Sequence, residues 1–300
     1  MSRAFFLCKL KTEEKKMITL ALQKSGRLNQ QSVQLLKDCG ISFTNGSTST
    51  LKVNASNFPM QILFLRDDDI PECIADGAAD CGVVGENVFY EKGSKLNISK
   101  KLGFSRCRLS IAVPKAIEYE SPKNLSGKSI ATSYPKILQK YLNDNNINAS
   151  IHEISGSVEI APGIGMADAI FDIVSTGSTL FSNGLKEVET VLKSEAVLLS
   201  SPQLNADKKD ILDQFLFRID AVQKAGNSKY ILLNAPNEKI EEIAKILPGM
   251  KSPTVMPLAQ EGWSSIHSVI NEDDFWQNIE RLRKAGAEGI LVIPIEKMIV

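Results

Sequence analysis

The chain has 300 residues, 43% apolar and 23% charged, with 35 basic and 35 acidic side chains and a formal net charge of zero. That length supports two or three domains with real cores, and the balanced charge argues against an extended nucleic-acid surface. The five cysteines (Cys8, Cys39, Cys73, Cys81 and Cys107) contain no CxxC pair, and with only two histidines, His152 and His267, they argue against a structural zinc site and fit a reducing cytoplasm. No stretch reaches transmembrane length.

Met1–Leu10 has the look of a short signal peptide, but Lys9 interrupts its apolar run and Lys11-Thr-Glu-Glu-Lys-Lys16 follows. Residues 1–16 therefore read as an N-terminal extension, with Met17 opening the folded part. Met17–Leu22 predicts a first strand. Gln23-Lys-Ser-Gly-Arg-Leu28 follows as a polar loop with two cations beside a glycine, and Gln30–Cys39 predicts a helix with Val33, Leu36 and Cys39 on one face. Strand, Gly/Ser/Lys/Arg loop and helix make an anion-binding arrangement; for Lys24 and Arg27 ordinary surface charge is the alternative.

Gln61–Leu65 predicts a further strand, followed by Arg66-Asp-Asp-Asp-Ile-Pro71. Burying three successive carboxylates together is costly, so some must face a ligand or water. Pro71 suits a helix start, and the helix ends near Gly77. Asp80–Asn87 reads as a short buried strand leading to a glycine bend and Glu86. Arg106–Pro114 carries the chain into a second lobe. Ser121–Gly127 is a turn region, Ser129–Thr132 a strand, and Ser133-Tyr-Pro135 opens a helix to about Asn143. Ile151–Ile154 is another strand. Ser157 reads as the N-cap of a short helix ending before Ala169. Its capping box is incomplete, because the acid falls at Glu159 rather than at Ile160, which leaves Glu159 free for a ligand or metal.

The central stretch is Phe171-Asp-Ile-Val-Ser-Thr-Gly-Ser-Thr-Leu180. An apolar run ends in small hydroxyl residues around a glycine, as where a buried parallel strand meets a phosphate-binding loop. Ser175, Thr176, Ser178 and Thr179 offer hydroxyls, and Gly177 lets backbone N–H groups converge. Asp172 would repel a bare phosphate but suits sugar hydroxyls or magnesium. A solvated strand-to-helix turn is the plain alternative. Gly77-Ala-Ala-Asp80 and Gly165-Met-Ala-Asp168 each precede an apolar strand and a glycine loop, which suggests two lobes built alike; chance likeness of a few residues is the alternative. The alternation of strand, loop and helix predicts parallel sheets.

Glu189–Leu192 and Ala196–Leu199 predict two short extended runs returning toward the first lobe. Ala206–Gly226 predicts a long amphipathic helix with Ile211, Phe215, Ile219 and Val222 on one stripe. The tail reads Lys229–Asn234 strand, Pro236–Ile246 helix, Ser252–Leu258 extended, Trp263–Val269 strand, Glu272–Lys284 helix and Gly289–Ile293 strand. That order is the ferredoxin-like split βαβ. Such a module could bind an effector or support assembly.

Taken together, several segments carry a resemblance. They are Ala21-Leu-Gln-Lys-Ser-Gly-Arg-Leu28, Arg66-Asp-Asp-Asp-Ile-Pro71, Gly82-Val-Val-Gly-Glu-Asn87, Cys107-Arg-Leu-Ser110, Ile130-Ala-Thr-Ser-Tyr-Pro135, Gly156-Ser-Val-Glu-Ile-Ala-Pro162, Asp172–Thr179 with Asn183-Gly-Leu185, and Leu247-Pro-Gly-Met250 with Ser252-Pro-Thr254. The chain resembles the long form of the ATP phosphoribosyltransferase family, from about residue 17 to the end. The resemblance implies an α/β fold: a two-lobed catalytic core like the type II periplasmic binding proteins plus a C-terminal ferredoxin-like α+β regulatory domain. It implies lobe I over residues 17–105 with a return segment over 195–224, lobe II over 106–194, and a histidine-binding domain over 225–300. The reaction implied joins ATP to 5-phosphoribosyl 1-diphosphate with Mg2+, releasing pyrophosphate, as the first step of histidine biosynthesis. Histidine is the implied feedback inhibitor, and the implied assembly is a dimer or hexamer, with no nucleic-acid or membrane partner.

Residue by residue, the resemblance puts the donor 5-phosphate on Ser175, Thr176, Gly177, Ser178 and Thr179. Asp172 receives the ribose hydroxyls, and Glu159 serves hydroxyl or magnesium contact, so that Glu159 and Asp172 are the implied metal ligands. Gln23, Lys24, Ser25, Gly26, Arg27, Arg66, Glu86, Arg108 and Tyr134 line the nucleotide and pyrophosphate side. Asp172, Glu159 and Arg27 are the implied catalytic residues, and Asn234, Met250, Ser252 and Thr254 the implied effector residues. Asn234 stands where some relatives have aspartate, and Ser178 where alanine is common. A non-enzymatic two-lobed binding protein for a phosphorylated ligand is the rival reading. A dinucleotide-dependent oxidoreductase is disfavoured, since no GxGxxG follows an early strand.

Overall fold

A computed structural model describes residues 17–44, 51–93, 95–247 and 249–300. The expected extension over residues 1–16 lies outside the described residues, as does Pro248 of the Leu247–Met250 motif. The described chain forms two compact units, residues 17–37 with 41–212 and residues 38–40 with 213–300.

The first unit opens with β1 (Ile18–Gln23), where Ile18, Leu20, Ala21 and Leu22 are all buried. An apolar run of this kind suits a strand covered on both faces. It leads to α1 (Gly26–Asp38), β2 (Lys52–Asn54), β3 (Met60–Leu65), a 3-10 turn over Asp67–Asp69, α2 (Ile70–Ala75), β4 (Cys81–Gly85), α3 (Glu86–Lys92) and β5 (Asn97–Lys101). Then come β6 (Cys107–Pro114), β7 (Ser129–Thr132), α4 (Pro135–Asp144), β8 (Ser150–Glu153), β9 (Ala169–Val174), α5 (Ser178–Ser182), β10 (Leu185–Ser194) and β11 (Ala196–Ser200).

These strands make two sheets, ordered β2-β3-β1-β4-β11-β5 and β10-β6-β9-β7-β8. Setting aside the edge strand β2, the first reads β3-β1-β4-β11-β5 and the second, reversed, β8-β7-β9-β6-β10. In each, the first three strands are parallel. In each, the fourth strand is antiparallel to both neighbours. The fourth strand is also the one that has just crossed from the other sheet: β6 follows β5, and β11 follows β10. This exchange is the two-lobed arrangement of type II periplasmic binding proteins. The expected parallel pairing holds for three strands of each sheet, and the fourth is antiparallel because a strand arriving from the far lobe enters in the opposite direction.

The internal echo has a physical basis. Asp80, just before β4, accepts the backbone N–H of Thr19 on Oδ2 at 2.8 Å, while its own N–H donates to the Thr19 carbonyl. Asp168, just before β9, accepts the N–H of Ser129 on Oδ2 at 2.8 Å and donates to the Ser129 carbonyl. Each aspartate thus clamps the start of the central parallel strand, β1 or β7, to the start of its neighbour, β4 or β9. Asp80 is 7% exposed and takes Lys208 Nζ on both oxygens at 2.8 Å.

Other boundaries differ from expectation. α1 starts at Gly26 rather than Gln30. Gly26 turns the chain with φ +90°, and Asn29 Nδ2 donates back to the Gln23 carbonyl, so Arg27 lies in the helix's first turn. The expected helix after Ser157 is one 3-10 turn over Val158–Ile160, and Ser157, with φ +50°, makes no side-chain capping bond. Where a glycine bend was expected, Gly85 is extended and a helix starts at Glu86. The run around Glu189–Leu192 belongs to one long strand, β10.

α6 (Ala206–Gly226) has the expected bounds. The second unit continues with β12 (Ser228–Pro236), α7 (Ile240–Ile246), β13 (Thr254–Pro257), β14 (Trp263–Asn271), α8 (Glu272–Lys284) and β15 (Glu288–Pro294). Its antiparallel sheet is ordered β13-β14-β12-β15, the split βαβ order expected. Ile231, Leu233, Ile243, Leu247, Ile266 and Leu282 form its core. α8 opens with Glu272, Asp273 and Asp274 and ends with Arg281, Arg283 and Lys284, which complements its dipole. Among the described residues no helix is long and apolar enough to cross a membrane.

The Asp168 clamp carries a pH signature. The backbone N–H of Ser129, and then its hydroxyl, hold the Asp168 carboxyl below its usual range. A depressed folded-state pKa adds stability above the unfolded pKa, and that stability is lost as pH falls through the folded pKa. Asp168→Ala should cost about 1 kcal/mol at neutral pH, a modest value because the side chain is partly solvated. Urea unfolding at successive pH values should show the gap from the unsubstituted protein closing in acid. A gap that is constant with pH would contradict the clamp.

Candidate active site

In both lobes the loops that leave the parallel strands come from their C-terminal ends, where open α/β sheets bind ligands. Contacts across the first unit bring these ends together. Arg27, after β1, donates from Nη1 to Ser175 Oγ, after β9, at 3.3 Å. Asn87, after β4, donates from Nδ2 to the Tyr134 hydroxyl, after β7, at 3.1 Å. Glu91 of α3 accepts the backbone N–H groups of Lys136 and Ile137 at 3.0 and 3.1 Å, capping α4 of the other lobe.

The loop after β9 has the geometry its sequence suggests. Gly177 adopts φ +82°, and Ser178 starts α5 directly behind it. Ser175, Thr176, Ser178 and Thr179 are exposed. Thr176 Oγ1 and Ser178 Oγ lie 3.0 Å apart. The loop is tied at its base by two arginines: Arg27 on the Ser175 hydroxyl, and Arg108 Nη1 on the Ser175 carbonyl at 3.2 Å. Exposed hydroxyls on a backbone held from two sides form a cradle suited to an anion.

Asp172 sits at the foot of this cradle, paired in register with Ser110 of β6. Burial pushes its carboxyl pKa up, the Ile173 N–H lowers it, and the charge of Glu159 raises it further. Two nearby carboxylates, one partly desolvated, are relieved by a cation or by hydroxyl donors. Tyr134 is also raised, first by burial and then by the Asp172 charge, so it remains a neutral phenol.

Beside the loop lies a cavity of 540 Å³ lined by Glu86, Lys101, Arg108, Ser175, Lys193 and Glu195, among others. Glu86 is 5% exposed and pairs with Lys101 Nζ at 3.1 Å. That hydrogen bond raises the lysine pKa. Arg108 holds both carboxylate oxygens of Glu187 through Nε and Nη2. Gln23 ends β1, the Lys24 N–H donates to the Leu65 carbonyl at 2.8 Å, and Ser25, Gly26 and Arg66 are exposed at the same sheet edge.

Several residues at this site were not singled out from the sequence. Asn87 is 4% exposed, takes the Ser194 hydroxyl on Oδ1 at 2.9 Å, and gives its N–H to that same hydroxyl at 3.1 Å. Asn87 therefore joins the crossing segment at Ser194 to Tyr134 of lobe II. Glu91 and Glu187 complete the interlobe and loop contacts. Only Asn87 lay in a quoted motif; the others carry no local signal, because their partners are tens of residues away.

In the second unit, Asn234 lies on β12 opposite Ser265, and Thr254 on β13 opposite His267. Ser252 and Met250, the latter 53% exposed, lie between α7 and β13. Gly249 has φ +63°, and a Cβ there would stand 2.8 Å from Ser268 Oγ, so a glycine suits this bend.

Fold and site together define a two-lobed α/β protein with a hydroxyl-rich loop at the junction of its lobes and an appended split βαβ module. The family model described as ATP phosphoribosyltransferase matches residues 66–221, and the HisG C-terminal domain model matches residues 225–297. An ATP phosphoribosyltransferase of Cytophaga hutchinsonii is 61% identical over 94% of this chain and 99% of its own length. One from Bacteroides thetaiotaomicron is 57% identical over 95% of this chain and all of its own. A chain of the ATP phosphoribosyl transferase (HisG:HisZ) complex from Thermotoga maritima superposes with a TM-score of 0.59 at 27% identity, covering 68% of this chain and 97% of that one. The chain belongs to the ATP phosphoribosyltransferase family.

Asn87→Ala removes the bond to Tyr134 and the Oδ1 acceptor of the Ser194 hydroxyl, which keeps only the backbone N–H of residue 87. Chemical denaturation should register a loss of about 2 kcal/mol. A change below about 0.5 kcal/mol, the range of ordinary surface substitutions, would contradict this bridging role.

Proposed function

We propose that this protein transfers the phosphoribosyl group of 5-phosphoribosyl 1-diphosphate to N1 of the adenine of ATP, with release of pyrophosphate. The observation that carries the reading is the Ser175–Thr179 cradle, with Asp172 at its foot and arginines from both lobes at its base. The five residues would hold the donor 5-phosphate through hydroxyl and backbone N–H donors. Asp172 would accept the ribose hydroxyls, which fits a carboxylate that burial makes reluctant to stay bare. Gln23 to Arg27, Arg66, Glu86, Arg108 and Tyr134 would border the nucleotide and the leaving diphosphate.

No protein nucleophile is required, since adenine N1 attacks C1 of the ribose directly. C1 becomes electron-poor as the diphosphate leaves, and the chain's contribution is to align the two substrates and hold charge in place. Arg27 would do both, bordering the diphosphate while it bonds Ser175. Glu159 and Asp172 fit Mg2+ as two hard oxygen donors. Among the described residues no group of three or more His, Cys, Asp and Glu comes together, so the ion would draw its other ligands from substrate phosphates and water. When bound, Mg2+ would neutralise the departing diphosphate.

The second unit would bind histidine as inhibitor through Asn234, Met250, Ser252 and Thr254. Its β13 is exposed throughout, and Leu291 and Ile293 of β15 are 55% and 45% exposed. Such a bare sheet supports assembly of the chain into a dimer or hexamer. The proposed domain division keeps lobe I at residues 17–105 with return segment 195–224, lobe II at 106–194 and the histidine-binding domain at 225–300.

Purified protein given ATP, 5-phosphoribosyl 1-diphosphate and Mg2+ should form phosphoribosyl-ATP, followed by chromatography. No product across salt and pH would refute the activity. Histidine should inhibit the reaction, and removing Mg2+ with a chelator should abolish it. Asp172→Ala should lower donor kcat/KM about a hundredfold, since it removes charge-assisted bonds, without unfolding the chain. Unchanged donor kinetics would remove Asp172 from the site.

A further inference from the structure

We propose that Glu187 is a positioning residue for the donor loop and acts through Arg108. The inference rests on the reading of Ser175–Thr179 as the phosphate cradle. It begins with the sheet. β10 and β6 are antiparallel neighbours, and their register shifts between Glu187 and Glu189. Irregularities of this kind re-aim side chains next to sites. Here Glu187 accepts Arg108 Nε and Nη2 on its two oxygens, the fork geometry that guanidinium and carboxylate favour. The Ser110 hydroxyl donates to Glu187 Oε1 at 2.7 Å, and Thr190 Oγ1 lies 3.3 Å from the same oxygen. The carboxylate is thus fixed by two hydroxyls from two strands before it fixes the arginine.

With Nε and Nη2 engaged, the remaining terminal nitrogen, Nη1, points its bond at the Ser175 carbonyl at 3.2 Å. That carbonyl stands two residues before Gly177, where the loop turns with φ +82°. Its orientation sets the peptide plane between Ser175 and Thr176, and so the direction of the Thr176 N–H. Glu187 does not reach the loop; its influence passes through a planar group with no freedom left. The pair remains ionised, since the Arg108 bond lowers the Glu187 pKa and that same bond raises the Arg108 pKa. A merely structural role for Glu187, holding β10 to β6, would weaken the fold without distinguishing one substrate from the other.

The test is steady-state kinetics on the full chain, varying each substrate with the other saturating, for wild type, Glu187→Gln, Glu187→Ala, Arg108→Ala and the Glu187→Ala/Arg108→Ala double variant. Both Glu187 variants should raise donor KM about tenfold, the scale of losing one charge-assisted hydrogen bond, and ATP KM by clearly less, because Arg108 would border the nucleotide but bonds the donor loop directly. The double variant should be no worse than Arg108→Ala alone, because residues acting in series are not additive. Glu187→Gln keeps the shape of the side chain, so it carries the test if Glu187→Ala folds poorly. Unchanged donor KM, equal rises in both KM values, or multiplied losses in the double variant would overturn the inference while leaving the phosphoribosyl-transfer reading intact. A wild type that makes no phosphoribosyl-ATP would overturn that reading and this inference with it.

Discussion

β11 lies inside the first sheet, between β4 and β5, yet it follows the whole second lobe in sequence. All five of its residues, Ala196–Ser200, are buried. The first sheet therefore cannot close until the chain has gone out through β6 to β10 and come back. β6 plays the reciprocal part in the second sheet. Two covalent crossings hold the lobes side by side, and the direction of each parallel set brings its loop-bearing ends toward the junction. The cradle, the arginines and the Asn87–Tyr134 bridge all exist because of that constraint.

At the junction, charge is arranged in opposed pairs. Arg108 is matched by Glu187, Lys101 by Glu86, and both pairs line or border one cavity. Among the described residues Asp172 forms no such ion pair, and its carboxyl is pushed up by burial and by Glu159. The exposed hydroxyls after β9 are the complement: neutral donors on a loop whose Ser175 is held by two arginines. An incoming group bearing a phosphate at one end and sugar hydroxyls at the other would match both. This asymmetry favours a phosphoribosyl donor over a simple anion, which Asp172 would repel.

Much of this was legible in the sequence because it is local. Phe171–Thr179 declares its strand and loop through an apolar run that stops at small hydroxyl residues. The tail declares its split βαβ order, and α6 and α8 match their expected bounds. The Asp80 and Asp168 echo was visible as a few letters and proved to be two equivalent clamps. What could not be read depends on distance. The parallel strands follow from local alternation, but the antiparallel β6 and β11 follow from crossings far apart in sequence, which alternation does not register. α1 starts early because Asn29 reaches back to Gln23, a bond that periodicity does not register. Glu187, Glu91 and Ser194 acquire their roles only from partners on other strands or in the other lobe.

The central claim is that the loop after β9 receives the donor phosphate. Amide hydrogen exchange on the whole protein, with and without 5-phosphoribosyl 1-diphosphate and Mg2+, tests it most directly. The account predicts slowed exchange across residues 175–182, since the N–H groups that open the loop and α5 would bind phosphate oxygens. Unchanged exchange there, with protection confined to other segments at saturating donor, would contradict it.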